Sequence, residues 1–390
     1  MFAIPFLQVR LLRQGDTGAD QAHSLAIALL RGLAAIQVAA AHLRAEMYPG
    51  LRSVADPGLV YQALAFFTGF AHQAVLLFFL ISGWLVGGSL LDKIGQPQAL
   101  SGYAIDRLSR LWTVLLPTFV LMLLAGLASG QLHPGTFDFS ATNAYSASSL
   151  AGNLVGLQTV TLPQFGGNYA LWSLANETWY YLMFPLLLVC LHPGALAGRL
   201  ASALALLAIA LLLPFDLVLY FLAWLLGAVF SRVRIDCALP LRLALLALLA
   251  VLSVVLRLVG SNDDLVAAAF VQDLVFSLVF LVCLASMRFR LAPSAALRRV
   301  RAVAEYFAAF SFTLYVLHLP VIHLMRHAGR ELFGTDRLQP GQPLSYAVYA
   351  AMLAAILLLS RLSYHAFEAH TPAVRRWLKS IFLAGRPQPA

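Results

Sequence analysis

An arginine and a histidine eleven positions apart, Arg31 and His42, interrupt the run LAIALLRGLAAIQVAAAHL from Leu25 to Leu43, which is otherwise apolar except for Gln37. At about 100° per residue, eleven positions return to within about 20° of one helix face, roughly 16 Å further along the axis. The pair therefore sets a fixed cation and a titratable imidazole on one stripe at two depths, with the small Ala34, Ala35, Val38 and Ala41 between them. Ionisable groups in hydrocarbon are costly and mark substrate paths or reactive sites. An imidazole near neutral pH suits proton removal from an attacking hydroxyl, or nucleophilic attack of its own. Taken singly, the two also fit an arginine that snorkels to one interface and a histidine in the opposite headgroups.

Further residues fall into patterns of the same kind. In YAIDRLSRLW, Arg107 and Arg110 are three apart on one face, a spacing that lets two guanidinium forks grip phosphate. Basic residues at an inner helix end also satisfy topology alone. In NYALWSLANETWYYLMFPLLL, Glu177 lies about a turn and a half inside an apolar run, with Ser173 and Tyr180 on its face. At that depth a carboxylate needs a partner, a proton or water. It can orient His42, bond a substrate hydroxyl or pair with a basic residue elsewhere. Trp172 and Trp179 fit an interfacial aromatic belt. Ser311, Tyr315 and His318 make a polar ridge at spacings of four and three, suited equally to a substrate path and to helix–helix hydrogen bonds. Arg361, His365 and Glu368 read as a structural network, and His72 and Gln73 lie near the outer end of their helix. Ser82–Gly83 and Gly87–Gly88 permit close helix approach, and Arg257 is near enough to Asp263 or Asp264 to pair. The loop Gln131–Asn168 has no Lys or Arg and mixes amides with aromatics, as a surface for a hydroxylated acceptor would.

These residues need a membrane-spanning frame. Of 390 residues, 61% are hydrophobic and 11% charged, with a mean hydropathy of +0.81, so the solvent is a bilayer. About ten helices are expected: Leu25–Leu43, Phe66–Leu90, Leu111–Ala128, Tyr169–Leu191, Leu200–Leu213, Leu217–Phe230, Leu239–Val259, Leu265–Met287, Tyr306–Met325 and Leu344–Phe367. With the short fifth and sixth counted separately, Arg10, Arg13, Lys93, Arg107, Arg110, Arg199, Arg232, Arg234, Arg242, Arg288, Arg290, Arg298, Arg299, Arg301, Arg375, Arg376, Lys379 and Arg386 share one side. The other side keeps only Arg44, Arg52, Arg326, Arg330 and Arg337. Merging the two would turn the later basic loops outward, against the positive-inside bias. The expectation is thus an all-α, polytopic membrane protein with both termini cytoplasmic. It divides into a cytoplasmic segment 1–24, a membrane domain 25–368 and a basic tail 369–390. The +9 charge follows from topology and calls for no nucleic acid. The first residues lack the order of a signal peptide. Cys190, Cys237 and Cys283 show no pairing or metal spacing, so neither disulfide nor metal is expected.

Six stretches, LLRGLAAIQVAAAH, AVLLFFLISGWLVG, YAIDRLSRLW, LWSLANETWYYLMFPLLL, FSFTLYVLHLP and SRLSYHAFEAHTPAVRRWL, together resemble the bacterial acyltransferase 3 family, in that family's order and over nearly the whole chain. The resemblance implies transfer of an acyl group, most often acetyl, from cytoplasmic acyl-CoA to a hydroxyl of an envelope or extracellular glycan (O-acetylation, polysaccharide modification), with residence in the bacterial inner membrane. It implies His42 and Arg31 as the essential pair, Arg107 and Arg110 as the basic motif, and Glu177 as the acidic residue of the fourth helix. In two places the chain departs from the pattern. Ala28 stands where an acidic residue commonly precedes the arginine by three, and Thr178 follows Glu177 where a second acid is often found. On this reading Arg107 and Arg110 hold CoA phosphates, Arg31 guides the donor inward, and the small-residue stripe admits the pantetheine arm. His42 then acts as general base or carries a covalent acyl group. Trp172, Ser173, Tyr180, Ser311, Tyr315 and His318 line the path. Partners are acyl-CoA, the hydroxylated acceptor, the bilayer and a second copy of the chain. The competing class is a proton-coupled transporter or flippase of a polar or anionic solute, against which stand the lack of an internal repeat and of paired broken helices.

Overall fold

The computed structural model describes residues 7–12, 22–133, 135, 138–259 and 265–383. Arg13 and Arg386, counted above on the basic side, and Asp263 and Asp264, set opposite Arg257, lie outside the described residues. The chain is all-α, 76% helical. Its helices are α1 (Ala22–Met47), α2 (Leu59–Phe67), α3 (Ala71–Ser82), α4 (Gly88–Lys93), α5 (Ala99–Ala128), α6 (Ala147–Leu154), α7 (Leu171–Leu191) and α8 (Leu196–Leu212). They continue through α9 (Phe215–Phe230), α10 (Leu239–Val259), α11 (Phe270–Ser286), α12 (Ala295–Ala309), α13 (Ser311–Phe333), α14 (Pro343–Ala366) and α15 (Thr371–Phe382). Two short strands, β1 (Leu7–Leu11) and β2 (Val233–Cys237), pair antiparallel with Leu7 opposite Cys237 and Leu11 opposite Val233.

Among the described residues, seven helical segments are long and apolar enough to cross a membrane, and the pair α12–α13 passes as an eighth although bent by 51°. Helices α8 and α9, with 17 and 16 residues, are shorter, about 24–26 Å at the usual rise. Contacts at the chain's turns sort the helix ends onto two faces. On the basic face β1 meets β2, Ala22 and His23 donate to Phe289 and Met287, Arg232 bonds Asp92, and Arg375 and Lys379 bond Asp106. On the opposite face Arg44 bonds Thr68, Leu338 bonds the Met47 carbonyl, and the Ala267 amide bonds Asp216. Since Asp216 and Arg232 bracket α9, that helix runs from one face to the other.

The ninth expected helix, Tyr306–Met325, differs most from its sequence reading. It breaks at Phe310, so Ser311 opens α13, and α13 runs on to Phe333. At the break Arg31 Nη2 donates to the Ala308 carbonyl (3.3 Å) and to Ser311 Oγ (3.2 Å), supplying a partner that a helix end lacks. Glu368 accepts from the Thr313 amide and hydroxyl, capping the first turn of α13. A Cβ at Gly32 would come within 2.7 Å of the Phe307 Cβ, so the glycine beside Arg31 lets α1 lie close against α12. The helix from Ala71 also departs from regularity. A π-turn, Gly83–Gly87, joins α3 to α4, and a Cβ at Gly83 would lie 2.0 Å from the Trp224 carbonyl of α9. The tail expected at 369–390 is helical over Thr371–Phe382, as α15.

Candidate active site

Arg31 of α1, Arg107 and Arg110 of α5, Ser173 and Glu177 of α7, and Ser311 and Tyr315 of α13 line one cavity of about 310 Å3. Residues spread over 285 positions of sequence thus meet because four helices cross at one depth. Glu177 accepts from Ser82 Oγ (2.5 Å) and from the Tyr181 hydroxyl. Ser82 also accepts from Trp224 Nε1 at 3.1 Å. The carboxylate is therefore held by neutral donors within a chamber that contains three guanidiniums, a combination that keeps charge available for a ligand. Arg107 lies over the rings of Tyr103 and Tyr181, 5.9 and 5.7 Å from their centroids, and Arg110 lies 5.6 Å from that of Phe312, cation–π contacts that hold the two guanidiniums at the chamber. Towards the basic face a further cavity of about 200 Å3 shares Val86, Ser89 and Arg107 and adds Lys93 and Lys379.

His42 is not part of that chamber. It lines a separate cavity of about 600 Å3 with Arg44, Thr68, His72, Arg257 and Asp273. Between the two chambers lies a layer of rings. Tyr315 faces the first cavity and shares a 2.5 Å hydrogen bond with Ser173. Its ring centroid is 6.0 Å from that of His318, which stacks 5.0 Å from His42. Tyr169 sets its ring edge against His42 at 5.2 Å and donates its hydroxyl to Glu46. The small-residue stripe of α1 does not bridge the chambers. Ala34, Ala35, Val38 and Ala41 are buried on α1, which packs on α3, α12 and α13; none of the four lines the 310 Å3 chamber, and Ala41 alone of them lines the 600 Å3 cavity beside His42.

Hydrogen bonding fixes which nitrogen of His42 carries its proton. His318 is fully buried, and its Nδ1 lies 3.1 Å from the Leu314 carbonyl, which only accepts. His318 Nδ1 therefore bears hydrogen. In a neutral ring, the state that burial without a counter-ion favours, Nε2 is then an acceptor. That nitrogen is 2.8 Å from His42 Nδ1, so His42 donates from Nδ1 and its lone pair falls on Nε2. A backbone carbonyl thus orients a buried imidazole, which orients the titratable one, as histidines with a proton to move require.

The remaining sequence candidates divide. Ser173, Ser311 and Tyr315 reach the first chamber, and His318 lies in the dividing layer. Tyr180 is fully buried, with its hydroxyl on the Leu217 carbonyl. Trp172 packs against Phe79, and both it and Tyr180 serve helix packing rather than the chamber. Sequence reading passed over Tyr181, at i+4 from Glu177, and took Ser82, just before the π-turn, only as a packing residue. The spacing of Tyr181 was visible; the position of Ser82 depends on tertiary contact with α7 and α9. Arg361 stacks over Tyr306, Phe310 and Tyr364 rather than in an ionic network.

A sequence profile described as an acyltransferase domain, that of acyltransferase 3, matches residues 24–363. No curated protein and no solved structure matches the chain.

Proposed function

The chain belongs to the acyltransferase 3 family, and from that premise, which makes it a multi-pass membrane acyltransferase acting on hydroxyl groups, we propose that it moves an acyl group, acetyl in the first instance, from cytoplasmic acyl-CoA to a glycan hydroxyl across the bacterial inner membrane. The observation that carries this reading is the convergence of Arg31, Arg107 and Arg110 on one chamber whose far wall leads, through Tyr315 and His318, to His42. In it the basic face is cytoplasmic and both termini lie there, with α8 and α9 as separate passes, ten in all.

Lys93, Lys379 and Arg107 at the mouth, and Arg110 within, match the phosphates of CoA in charge. The thioester arm lies along the apolar wall of Phe78, Phe79 and Leu174 towards Tyr315. The acceptor meets His42 from the cavity that His42 lines. His42 Nε2 takes the hydroxyl proton while the oxygen attacks the thioester carbonyl. Collapse breaks the C–S bond, and the CoA thiolate leaves with that proton. Glu177, already bonded to Ser82 and Tyr181, holds Arg31 and Arg110 in their chamber by charge, as a positioning residue. Two chambers divided by a thin layer also describe a transporter; acyltransferase membership favours group transfer.

The test uses purified protein and labelled acetyl-CoA, with free CoA as the readout. Transfer to an added hydroxylated acceptor is expected to vanish in His42→Ala and Arg31→Ala while both variants insert and elute as the parent does. Near-normal transfer by folded His42→Ala would remove the assignment.

A further inference from the structure

The cavity of about 200 Å3 that adjoins the Arg31 chamber towards the basic face carries hydrogen-bond donors that the fold itself leaves unused. The two cavities share Val86, Ser89 and Arg107. Arg107 Nε and the Tyr103 hydroxyl, both on the wall of the outer one, are buried without a hydrogen-bond partner. Buried polar atoms are nearly always paired. The two are neighbours, with the guanidinium 5.9 Å from the centre of the Tyr103 ring. A guanidinium N–H only donates, so the partner it lacks is an acceptor, and a tyrosine hydroxyl can donate to the same group.

A helix completes this mouth. α15 docks on α5 through a 2.8 Å bond between the Thr113 and Thr371 hydroxyls. It docks also through Asp106, whose Oδ1 lies 2.7 Å from Lys379 Nζ and 3.3 Å from Arg375 Nε. These ion pairs engage the Asp106 carboxylate and fix Lys379 on the cavity wall, at the expense of one of the ammonium's three donors. The helix, Thr371–Phe382, lies beyond the stretch 24–363 matched by the family profile, so membership in the family assigns it nothing. Two groups of donors thus follow one another: Arg31 and Arg110 in the chamber, then Tyr103, Lys93 and Lys379 in the mouth, with Arg107 common to both. Coenzyme A presents its phosphates in the same order, since outward from the thioester the diphosphate comes first and the ribose monophosphate second.

We propose that Tyr103, Arg107 and Lys379 form a subsite for the ribose phosphate of the donor, and that α15 thereby makes the protein select CoA over dephospho-CoA, which lacks that group. The proposal rests on the acyl-CoA reading for its ligand, but the selection is measurable by binding alone.

Full-length protein in phosphatidylcholine nanodiscs is titrated with CoA and with dephospho-CoA, and thiol release from acetyl-CoA is followed in parallel samples. CoA should bind at least about tenfold more tightly, as hydrogen bonds to a charged group imply. Lys379→Gln should shrink that preference by about 3- to 10-fold. Tyr103→Phe, which keeps the ring beside Arg107 and removes only the hydroxyl, should do the same. Equal binding of the two ligands by the parent would overturn the proposal and assign the mouth to the diphosphate. A preference unchanged in either folded variant would overturn it as well. So would a preference that vanishes in phosphatidylglycerol nanodiscs, which would assign these donors to lipid phosphate. Absence of binding by both ligands would sink the acyl-CoA reading itself and the subsite with it.

Discussion

Replacing His318 tests the proton assignment at His42 without touching substrate. In the parent protein the Leu314 carbonyl accepts from His318 Nδ1, and His318 Nε2 accepts from His42 Nδ1 at 2.8 Å. His318→Leu fills similar space but offers no acceptor. The productive tautomer of His42 then leaves a half-buried N–H unpaired, at a cost of about 1–3 kcal/mol. With about 1.4 kcal/mol per factor of ten, kcat should fall about 5- to 160-fold. His318→Gln restores both halves of the relay, since its amide N–H can reach Leu314 and its oxygen can accept from His42. The assay is acceptor-dependent CoA release from acetyl-CoA across pH, with thermal stability measured alongside. A positioning role predicts that the acid limb of the pH profile moves in His318→Leu and returns in His318→Gln, with KM for acetyl-CoA unchanged throughout. A folded His318→Leu enzyme with parental kcat and profile would refute the reasoning, as would a Gln variant as impaired as Leu.

Two further outcomes concern the frame. Gly83→Ala would drive a methyl group to 2.0 Å from the Trp224 carbonyl, while Gly227 has the reciprocal relation to the Leu80 carbonyl at 2.2 Å. Backbone cannot yield as a side-chain end does, so a loss of about 1–3 kcal/mol or more is expected, read as a lower melting temperature and as reduced transfer, because Ser82 beside it holds Glu177; parental stability would exclude this packing. Asp336 lies outside the membrane-spanning helices, where hydrogen bonds from Arg330 and Arg326 hold its carboxyl at about 2, below the ordinary 3.8. A depressed carboxyl contributes stability fully above its unfolded value and loses it as pH falls through the folded one. Asp336→Asn should therefore melt lower than the parent at pH 7, with the gap closing between about pH 4 and pH 2; a constant gap over that range would discount the pairing.

Much of the frame and part of the site were legible in the residues, for different reasons. Apolar runs set the helices because an apolar segment about twenty residues long crosses a bilayer with its backbone groups satisfied within itself only as a helix. Arg31, Arg107, Arg110 and Glu177 stood out because charge at those depths is costly, and all four line one chamber. The meaning of the small-residue stripe was not legible. Small residues on a helix face equally permit an open path and a close neighbour, and here α3, α12 and α13 take the space. The break at Phe310 was also hidden, because FAAFSFTLYVLH has unbroken helical periodicity without proline or glycine; the partners that accommodate the bend, Arg31 and Glu368, lie far away in sequence. The pairing of His42 with His318 joins residues 276 apart, beyond any local pattern. The π-turn at Gly83–Gly87 is the intermediate case: the glycines were visible as contact points, but the displacement of Ser82 towards Glu177 is a product of α9 seated in the groove.

The dividing layer gives these observations a common physical purpose. On the proposed reading, in which the acyl group of a thioester crosses the bilayer to a hydroxyl, the two must meet without leaving a pore. Here the chamber with Arg31 and the chamber with His42 are sealed by Tyr315, His318 and the packed face of α1, all of low exposure. His318 belongs both to this layer and to the hydrogen bonds that orient His42, so on the proposed reading opening the layer and arranging His42 are coupled. A Tyr315 rotation that frees its hydroxyl from Ser173 would bring the thioester arm to His318's neighbour while a bound acceptor plugs the far side. On this logic donor occupancy alone should leave the barrier closed, and an acceptor alone should leave His42 with no carbonyl to serve.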